Sequence, residues 1–292
     1  MNMLELDNFL NWCDMQYDNT PHCHCRIACT NGDYCKGQQN NCYSCIQRVH
    51  DYHNRTVHYN CDKMVLYYVL KHCYRFGSEI FYALQKLRND LCNWNDIYMA
   101  SIGCGPCTEL FGAMSQWRAM GKPDGQFHYR GFDTDNIWHS LMNQARNYFT
   151  MADVMVDIQN AFNYYQNCEE RIDMIVLNYM LSDMMKFNNT CYDQFLKDLI
   201  SLIQKKRPCY LLINDVYLLI SVGATNRMLR FLAKAGLSYK GIKLQYHDFH
   251  PYIGQFGRQI HKQSYTMPNA EIVRKYNPFS EVNSIQTIIK FQ

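Results

Sequence analysis

From about residue 96, the chain alternates short apolar runs with segments of helical periodicity. Each run is short enough to form one buried strand. Strands that alternate with helices predict an α/β fold with a mostly parallel, seven-stranded sheet and helices on both faces. The last two runs lack a clear helix between them, which favours an antiparallel hairpin. The seven runs are Ile97–Ile102, Phe127–Phe132, Asp153–Ile158, Met174–Asn178, Tyr210–Ile213, Tyr239–Tyr246 and Ile285–Phe291.

Four helical segments separate these runs. Gly121 follows the first segment, as is typical of a helix C-terminus. The third ends in Lys205, Lys206 and Arg207, whose charges suit the negative end of a helix dipole. The positions that mark the four helical faces are Leu110, Met114 and Trp117; Ile137, Leu141 and Tyr148; Phe195, Leu199, Leu202 and Ile203; and Met228, Leu232 and Gly236.

Residues 1–95 follow a different pattern and are predicted to form a separate N-terminal region beside a domain of residues 96–292. Residues 1–60 are rich in Cys, His, Asn and Gly, with little regular periodicity. Residues 61–91 predict a helix because apolar side chains recur at helical spacing. Gly77 predicts an interruption of that helix.

The charges of the 292-residue chain, formally +3 in total, are unevenly distributed. Residues 205–292 hold 13 basic and 4 acidic side chains, whereas residues 96–204 hold 7 basic and 13 acidic ones. A basic last third indicates either a surface that binds polyanions or charge balance against the acidic middle.

Neither an export signal nor a membrane span is expected. The first residues, MNMLELDNFL, lack a basic segment and include Glu5 and Asp7. The best apolar stretch, Tyr210–Ala224, is too short to cross a bilayer and is broken by Asn214 and Asp215. We therefore expect a soluble protein without membrane contact in a reducing compartment, the cytoplasm.

Ten of the 15 cysteines lie before residue 93. Cys42 and Cys45 form a C-x-x-C pair, and a turn between Cys29 and Cys35 can bring those two together. Four thiolates around a structural Zn²⁺ would stabilise a region with little apolar core. The predicted zinc ligands are Cys29, Cys35, Cys42 and Cys45, followed by Cys23 and Cys25. An iron–sulfur cluster, a second zinc ion and free thiols are the alternatives.

A glycine turn follows the first predicted strand, in the segment IYMASIGCGPCTEL. Gly103 and Gly105 lack a Cβ atom, so the backbone can adopt positive φ and approach a ligand closely. The helix that begins after this turn favours negative charge at its N-terminus. Asp133 ends the second strand, 28 residues after Gly105. A carboxylate there can accept both ribose hydroxyls of an adenosine ligand.

These segments resemble the class I S-adenosylmethionine-dependent methyltransferases. SIGCGPCTEL and YRGFDTD are similar to the family's first two motifs, and VMVDIQ and IDMIVLNYMLSD to the third and fourth. The resemblance covers roughly residues 96–292 and implies a Rossmann-like fold with a final antiparallel strand pair. It implies that Gly103, Cys104 and Gly105, beside Ser101, wrap the methionine end, that Asp133 holds the ribose, that Asp157 and Ile158 meet the adenine, and that Asn178 lines the end of the fourth strand.

Cys104 lies between the two glycines, where small residues are favoured because ligand and neighbouring strand crowd them. A nucleophilic thiol needs an activating neighbour, and no basic residue is adjacent. We therefore interpret Cys104 as a packing residue.

The fourth motif carries the information about the methyl acceptor, because a sulfonium methyl group needs mainly an aligned acceptor. Asn178, Tyr179 and Asp183 are the catalytic candidates that position it, although an ordinary loop before a helix would also place Tyr179 and Asp183 there. This fourth motif lacks both prolines of the Asn/Asp-Pro-Pro-aromatic motif, and it also lacks a Pro-Cys nucleophile. Residues 246–265 interleave aromatic and basic side chains, which suits base stacking and phosphate contacts or a loop that covers the sheet edge.

The sequence thus favours a methyltransferase that uses S-adenosylmethionine and acts on a macromolecule, RNA before DNA or protein. The zinc region would help to grip that acceptor, by analogy with other methyltransferases. The alternatives are a small-molecule methyltransferase, or a non-catalytic nucleotide- or nucleic-acid-binding protein on the same fold.

Overall fold

The computed structural model describes residues 3–20, 42–50, 59, 61–187, 189–216, 218–237, 270–278 and 284–291. Several predictions fall outside these residues. They are the zinc ligands Cys23, Cys25, Cys29 and Cys35, the strand Tyr239–Tyr246, and the aromatic segment 246–265.

A mixed sheet forms the centre of the described structure. Its strands are β1 (Ile97–Ile102), β2 (Phe127–Asp133), β3 (Asp153–Ile158), β4 (Met174–Asn178), β5 (Tyr210–Val216) and β6 (Ser284–Lys290). Their order is β3-β2-β1-β4-β5-β6. All neighbours are parallel except β5 and β6, which pair antiparallel with Leu212 opposite Ile288. The α/β, Rossmann-like prediction is confirmed, with six strands among the described residues where the sequence predicted seven.

Helices cover both faces of this sheet. They are α1 (Leu4–Asn19), α2 (Cys42–His50), α3 (Asp62–Lys86), α4 (Arg88–Leu91), α5 (Thr108–Ala119), α6 (His139–Asn147), α7 (Ala161–Asn167), α8 (Leu181–Phe187), α9 (Asn189–Lys206), α10 (Leu219–Lys234) and α11 (Ala270–Tyr276). Helices α1, α3, α5, α6 and α11 share one apolar core with the strand residues of one face. Helices α7 to α10 pack on the other face. None of the helices in the described ranges is both long and apolar enough to cross a membrane.

The N-terminal region contains more helix than its sequence pattern predicted. Helix α1 buries Leu6, Phe9, Leu10 and Cys13, which lie at helical spacing. These side chains belong to the same core as strands β1 and β2, and α1 packs against α3 and, through Phe9 and Phe111, against α5. The division between residues 1–95 and 96–292 stays a prediction. Helix α11 also lies between the last two predicted strands, where no clear helix was expected.

Gly77 does not interrupt helix α3, contrary to the prediction. The helix runs unbroken from Asp62 to Lys86. Gly77 is instead the point where α3 touches α5, because a Cβ atom on Gly112 would lie only 1.9 Å from the Gly77 carbonyl oxygen. Two glycines therefore allow the helices to approach closely, and this contact brings α3 beside the turn after β1.

Candidate functional site

The turn after β1 is fixed to the neighbouring strand β2. Gly103 and Gly105 have φ values of +67° and +49°. The amides of Gly103 and Cys104 both donate to the Phe132 carbonyl oxygen, at 2.8 and 3.0 Å. A Cβ atom on Gly103 would lie 3.1 Å from the Met180 sulfur. The glycines thus provide both the backbone conformation and the space that the sequence pattern predicted.

Asp133 connects this turn to the end of β2. Its Oδ2 accepts the Gly105 amide at 2.9 Å, and its Oδ1 accepts the Asp135 amide at 2.9 Å. Burial raises the pKa of the Asp133 carboxyl, although the backbone hydrogen bonds act against that shift. A carboxylate offers about four lone-pair sites, so these bonds leave acceptor capacity for ligand hydroxyls.

A first cavity of about 340 Å³ opens at this edge of the sheet. Its wall includes Gly103, Gly105, Asp133, Trp138 and Met180. The carboxyl ends of β1, β2 and β4 meet here, at the point where strand order reverses, and ligands of open α/β sheets bind at such points. Glycine backbone in the cavity wall and a carboxylate with spare acceptor capacity suit the methionine and ribose portions of S-adenosylmethionine.

The structure brings together only part of the predicted cofactor set. Gly103, Cys104, Gly105, Asp133 and Asn178 all line the first cavity.

The other three cofactor candidates lie elsewhere, and their cofactor contacts stay predictions. Ser101 is fully buried and donates to Glu109 Oε1 at 2.6 Å. Asp157 is exposed at the end of β3 and accepts from Gln159 Nε2 at 2.6 Å. Ile158 is half-buried and packs against the core.

Cys104 has the surroundings of a packing residue. Its side chain is buried, and the Cys107 thiol donates to its sulfur at 3.6 Å. Burial, followed by the Cys107 contact, raises the pKa of the Cys104 thiol well above its usual value. A thiol held in this protonated form is a poor nucleophile.

Asn178 and Tyr179 at the end of β4 are held by side chains of other elements. The Asn178 amide donates to Thr108 Oγ1 at 3.2 Å and its Oδ1 accepts from Asn214 at 2.9 Å. Tyr179 has a φ of +56°, which is strained for an aromatic residue. Its amide donates to the Asn214 carbonyl oxygen at 2.6 Å, and these contacts fix its conformation.

Glu79 of helix α3 is a central part of this arrangement that the sequence analysis missed. It is 1% exposed, and Arg75 Nε donates to its Oε1 at 2.9 Å. The Tyr179 hydroxyl and the Asn214 amide donate to its Oε2, at 2.8 and 2.7 Å. Arg75 and Glu79 lie four residues apart on the predicted helix, and that pair of opposite charges beside apolar positions was the available signal.

A second cavity of about 230 Å³ lies next to the first. The two share four wall residues, which are Tyr68, Phe76, Tyr179 and Asp183. The second is also lined by His50 of α2 and by His72 and Arg75 of α3. The two cavities meet beside the last residues of β4, where the sequence predicted the acceptor.

Asp183 faces both cavities. Among the described residues its carboxyl has no hydrogen bond or ion pair, whereas Asp215 accepts from the Ser182 amide and hydroxyl at 2.8 and 2.7 Å. Burial, followed by the Asp215 charge, raises the pKa of Asp183 to about 7, although Lys186 acts in the opposite direction. Burial likewise raises the pKa of Asp215 to about 6. Asp183 is therefore available to hold or release a proton near neutral pH.

The predicted zinc site receives no support from the part of it that is described. Cys42 and Cys45 lie one turn apart on α2, and the Tyr17 hydroxyl donates to Cys42 Sγ at 3.6 Å. Within the described ranges, no group of three or more His, Cys, Asp or Glu side chains could hold a metal ion. One helical turn thus accounts for the positions of both thiols.

The comparisons with known proteins give similarity only at the level of solved structures. No family model and no curated protein matches the sequence. A precorrin-6Y C5,15-methyltransferase from Geobacter metallireducens GS-15 is 11% identical, with a TM-score of 0.43, covering 72% of this chain and 89% of that one. An rRNA methylase from Streptococcus thermophilus is 9% identical, with a TM-score of 0.40, covering 71% and 95%.

A third similar structure is the magnesium protoporphyrin IX methyltransferase of Synechocystis PCC 6803, with bound S-adenosylmethionine. It is 9% identical, with a TM-score of 0.41, and the match covers 88% of this chain and 86% of that one. These three methyltransferases are named for a precorrin, an rRNA and a porphyrin, so they indicate no single acceptor. Because the identities and TM-scores are this low, the similarity assigns no function to this chain. The assignment of the fold rests on the strand order described above.

Proposed function

We propose that this chain is an S-adenosylmethionine-dependent methyltransferase. The observation that supports this best is the junction of the two cavities. The first cavity is lined by the positive-φ glycines and Asp133, and also by the Asp183 carboxyl, which has no partner among the described residues. A cofactor bound in the first cavity would place its reactive end toward a proton acceptor.

In this proposal, one group of residues binds the cofactor and another positions the acceptor and accepts its proton. Gly103 and Gly105 let the cofactor approach the backbone, and Asp133 accepts hydrogen bonds from ribose hydroxyls. S-adenosylmethionine, when bound, supplies a methyl group on a positively charged sulfur. Asn178 and Tyr179 orient the acceptor, and Asp183 takes up the proton that the acceptor loses.

RNA remains the acceptor that we favour, with a small molecule as the alternative. The basic last third of the chain supports RNA, because phosphates are bound through Lys and Arg. The small second cavity supports an acceptor group small enough to enter it. A binding protein without turnover is less well supported, because it has no need of a half-buried carboxyl without a partner in the described structure that faces both cavities. We also propose a reducing, cytoplasmic location, which the intact mass of freshly purified protein tests through its number of disulfides.

Calorimetric titration with S-adenosylmethionine tests the central proposal, with NAD as the control ligand. Asp133→Ala removes a partly buried acceptor and should weaken S-adenosylmethionine binding by about 100-fold. Asp133→Asn keeps the size of the side chain and should weaken S-adenosylmethionine binding less than Asp133→Ala does. Failure of the folded wild-type protein to bind S-adenosylmethionine would remove the basis for a methyltransferase.

A further inference from the structure

The second cavity has a nearly continuous aromatic wall. The rings of His72 and Phe76 lie parallel at 8°, with centroids 5.7 Å apart, and Tyr68 lies 5.1 Å from His72. The Tyr179 ring contacts Phe76 at a centroid distance of 3.7 Å. Ring faces of this kind bind flat, unsaturated groups by stacking, and they do so with little regard to the identity of the ring.

The cations of this wall are already used within the protein. Arg75 pairs with Glu79, and the Lys186 ammonium donates to the Val49 carbonyl oxygen. Lys186 also interacts electrostatically with Asp183, which in turn interacts with Asp215. The cavity therefore has no excess of positive charge that would attract a phosphate or a carboxylate.

The histidines add no positive charge at neutral pH. Burial, followed by the charge of His50, lowers the pKa of His72 well below its usual value. Desolvation, followed by the Lys186 charge, lowers the pKa of His50 to about 4, although part of its side chain is exposed. Both rings are neutral, so this cavity suits an uncharged ligand.

The volume and the polar edge limit the ligand further. About 230 Å³ lies below the usual range of roughly 300–1,000 Å³ for drug-sized ligands, so the cavity holds one ring system. Asp183 lies where this cavity meets the first one. A ring N–H that donates to Asp183 would therefore face the position of the methyl donor.

We propose that the second cavity binds the methyl acceptor as a single, uncharged, planar nitrogen heterocycle of about nucleobase size, stacked on the Tyr68, His72 and Phe76 wall. This inference rests on the proposed methyltransferase function. In the transfer, the ring nitrogen forms a bond to the methyl carbon while the bond from that carbon to sulfur breaks. The ring N–H proton passes to an oxygen of Asp183, and S-adenosylhomocysteine leaves neutral at sulfur.

The heterocycle can come from a free small molecule or from a base of single-stranded RNA turned into the cavity, with its phosphates outside. Equilibrium binding of guanosine and uridine, which carry a ring N–H, of adenosine and cytidine, which carry none, and of short single-stranded RNA, distinguishes these sources. The protein is used with saturating S-adenosylhomocysteine and, separately, without it.

Leu218→Trp is the variant that isolates the second cavity. Leu218 lines that cavity but not the first, and it is 53% exposed, so a larger side chain narrows the entrance without disturbing the core. Met151→Trp is the matched control, because Met151 is 75% exposed and lines neither cavity. A tryptophan at position 218 should keep the heterocycle from reaching the aromatic wall. Because stacking contributes about 1–3 kcal/mol per base, we expect Leu218→Trp to weaken heterocycle binding by about tenfold or more.

Each result supports or overturns the inference. Binding of guanosine or uridine, or of RNA alone, that Leu218→Trp weakens and Met151→Trp does not supports it and identifies the source. Absence of any such binding, or binding indifferent to Leu218→Trp, overturns it. If S-adenosylmethionine still binds in that case, the proposed function stands and only the acceptor class is wrong.

Discussion

The two cavities differ in how they are built. The first includes the glycine backbone after β1 and the Asp133 carboxylate at the end of β2, which two amides hold. The second is lined by residues of α2, α3, α8 and α10, and it shares with the first a carboxyl without a partner in the described structure, Asp183. Backbone contacts can recognise a common cofactor on many chains, whereas side-chain contacts can differ from one protein to the next.

The contact between Gly77 and Gly112 holds α3 against α5 beside the two cavities. Breaking this contact should have the largest effect on the stability of the protein. Helix α3 carries the aromatic wall, and α5 begins just after the glycine turn. Gly112→Ala would place a Cβ atom 1.9 Å from the Gly77 carbonyl oxygen, so the helices must separate. We expect a loss of about 3 kcal/mol or more in the free energy of unfolding, measured with urea.

Gly223→Ala is the matched control for this change. Gly223 lies in α10, and a Cβ atom there meets nothing within 4 Å. Alanine is the better helix former, so this variant should be more stable by about 0.5–1 kcal/mol. Equal stability of the two variants would show that α3 and α5 do not touch at these glycines.

The next largest effect is expected when Asp183 is substituted. This substitution should show whether Asp183 acts in methyl transfer or in cofactor binding. Asp183→Asn keeps the shape of the side chain but cannot take up a proton. We expect transfer to fall by about 10²–10⁴-fold with little change in S-adenosylmethionine affinity. In the wild type, transfer should increase as the pH rises through about 7, since Asp183 must lose its own proton first. A pH profile that is the same in wild type and variant would assign the proton to another group.

Much of the first cavity could be predicted because its residues lie close together in the sequence. Strands β1, β3 and β4 begin and end where the apolar runs predicted. The glycine turn directly follows the first apolar run, and Asp133 directly follows the second. A local sequence pattern therefore also predicted where these residues lie in the fold. Asp157 shows the limit of such patterns, since the end of β3 leaves it exposed and outside the cavity wall.

The second cavity could not be predicted in the same way. Glu79 and Tyr179 are 100 residues apart in the chain, yet a hydrogen bond of 2.8 Å joins them. Whether such side chains meet depends on the close approach of α3 and α5, which rests on Gly77. The sequence pattern predicted a break in the helix at that glycine. A sequence shows that glycine has no side chain, but it does not show which neighbouring helix packs into the space that results.

The raised pKa values of the second cavity also predict a smaller effect, on stability. In the folded state Asp183 binds its proton up to about pH 7, whereas the unfolded chain releases it near pH 4. The folded state thus holds more protons in this window, and this contribution to stability is lost as the pH rises from about 4 to about 7. His50 acts in the opposite direction, because its pKa is lowered to about 4.

The comparison of wild type with Asp183→Asn isolates the carboxyl from the histidines. Asp215 and Lys186 remain in both proteins, so the difference in stability reports Asp183. We expect the variant to gain on the order of 1 kcal/mol relative to the wild type between about pH 5 and pH 8, in urea unfolding. A difference that is independent of pH would place the titration of Asp183 outside this range.

The smallest expected effect concerns Asp157, for which the resemblance to the methyltransferases implies a contact with the adenine. An exposed carboxylate that already accepts from Gln159 contributes less to a ligand than the partly buried Asp133 does. Asp157→Ala should therefore weaken S-adenosylmethionine binding by at most about threefold, against about 100-fold for Asp133→Ala, in the same calorimetric titration. A loss as large as that of Asp133→Ala would mean that the end of β3 moves toward the first cavity when the cofactor binds. The cofactor contacts of that cavity would then extend beyond the ends of β1 and β2, and its contrast with the second cavity would weaken.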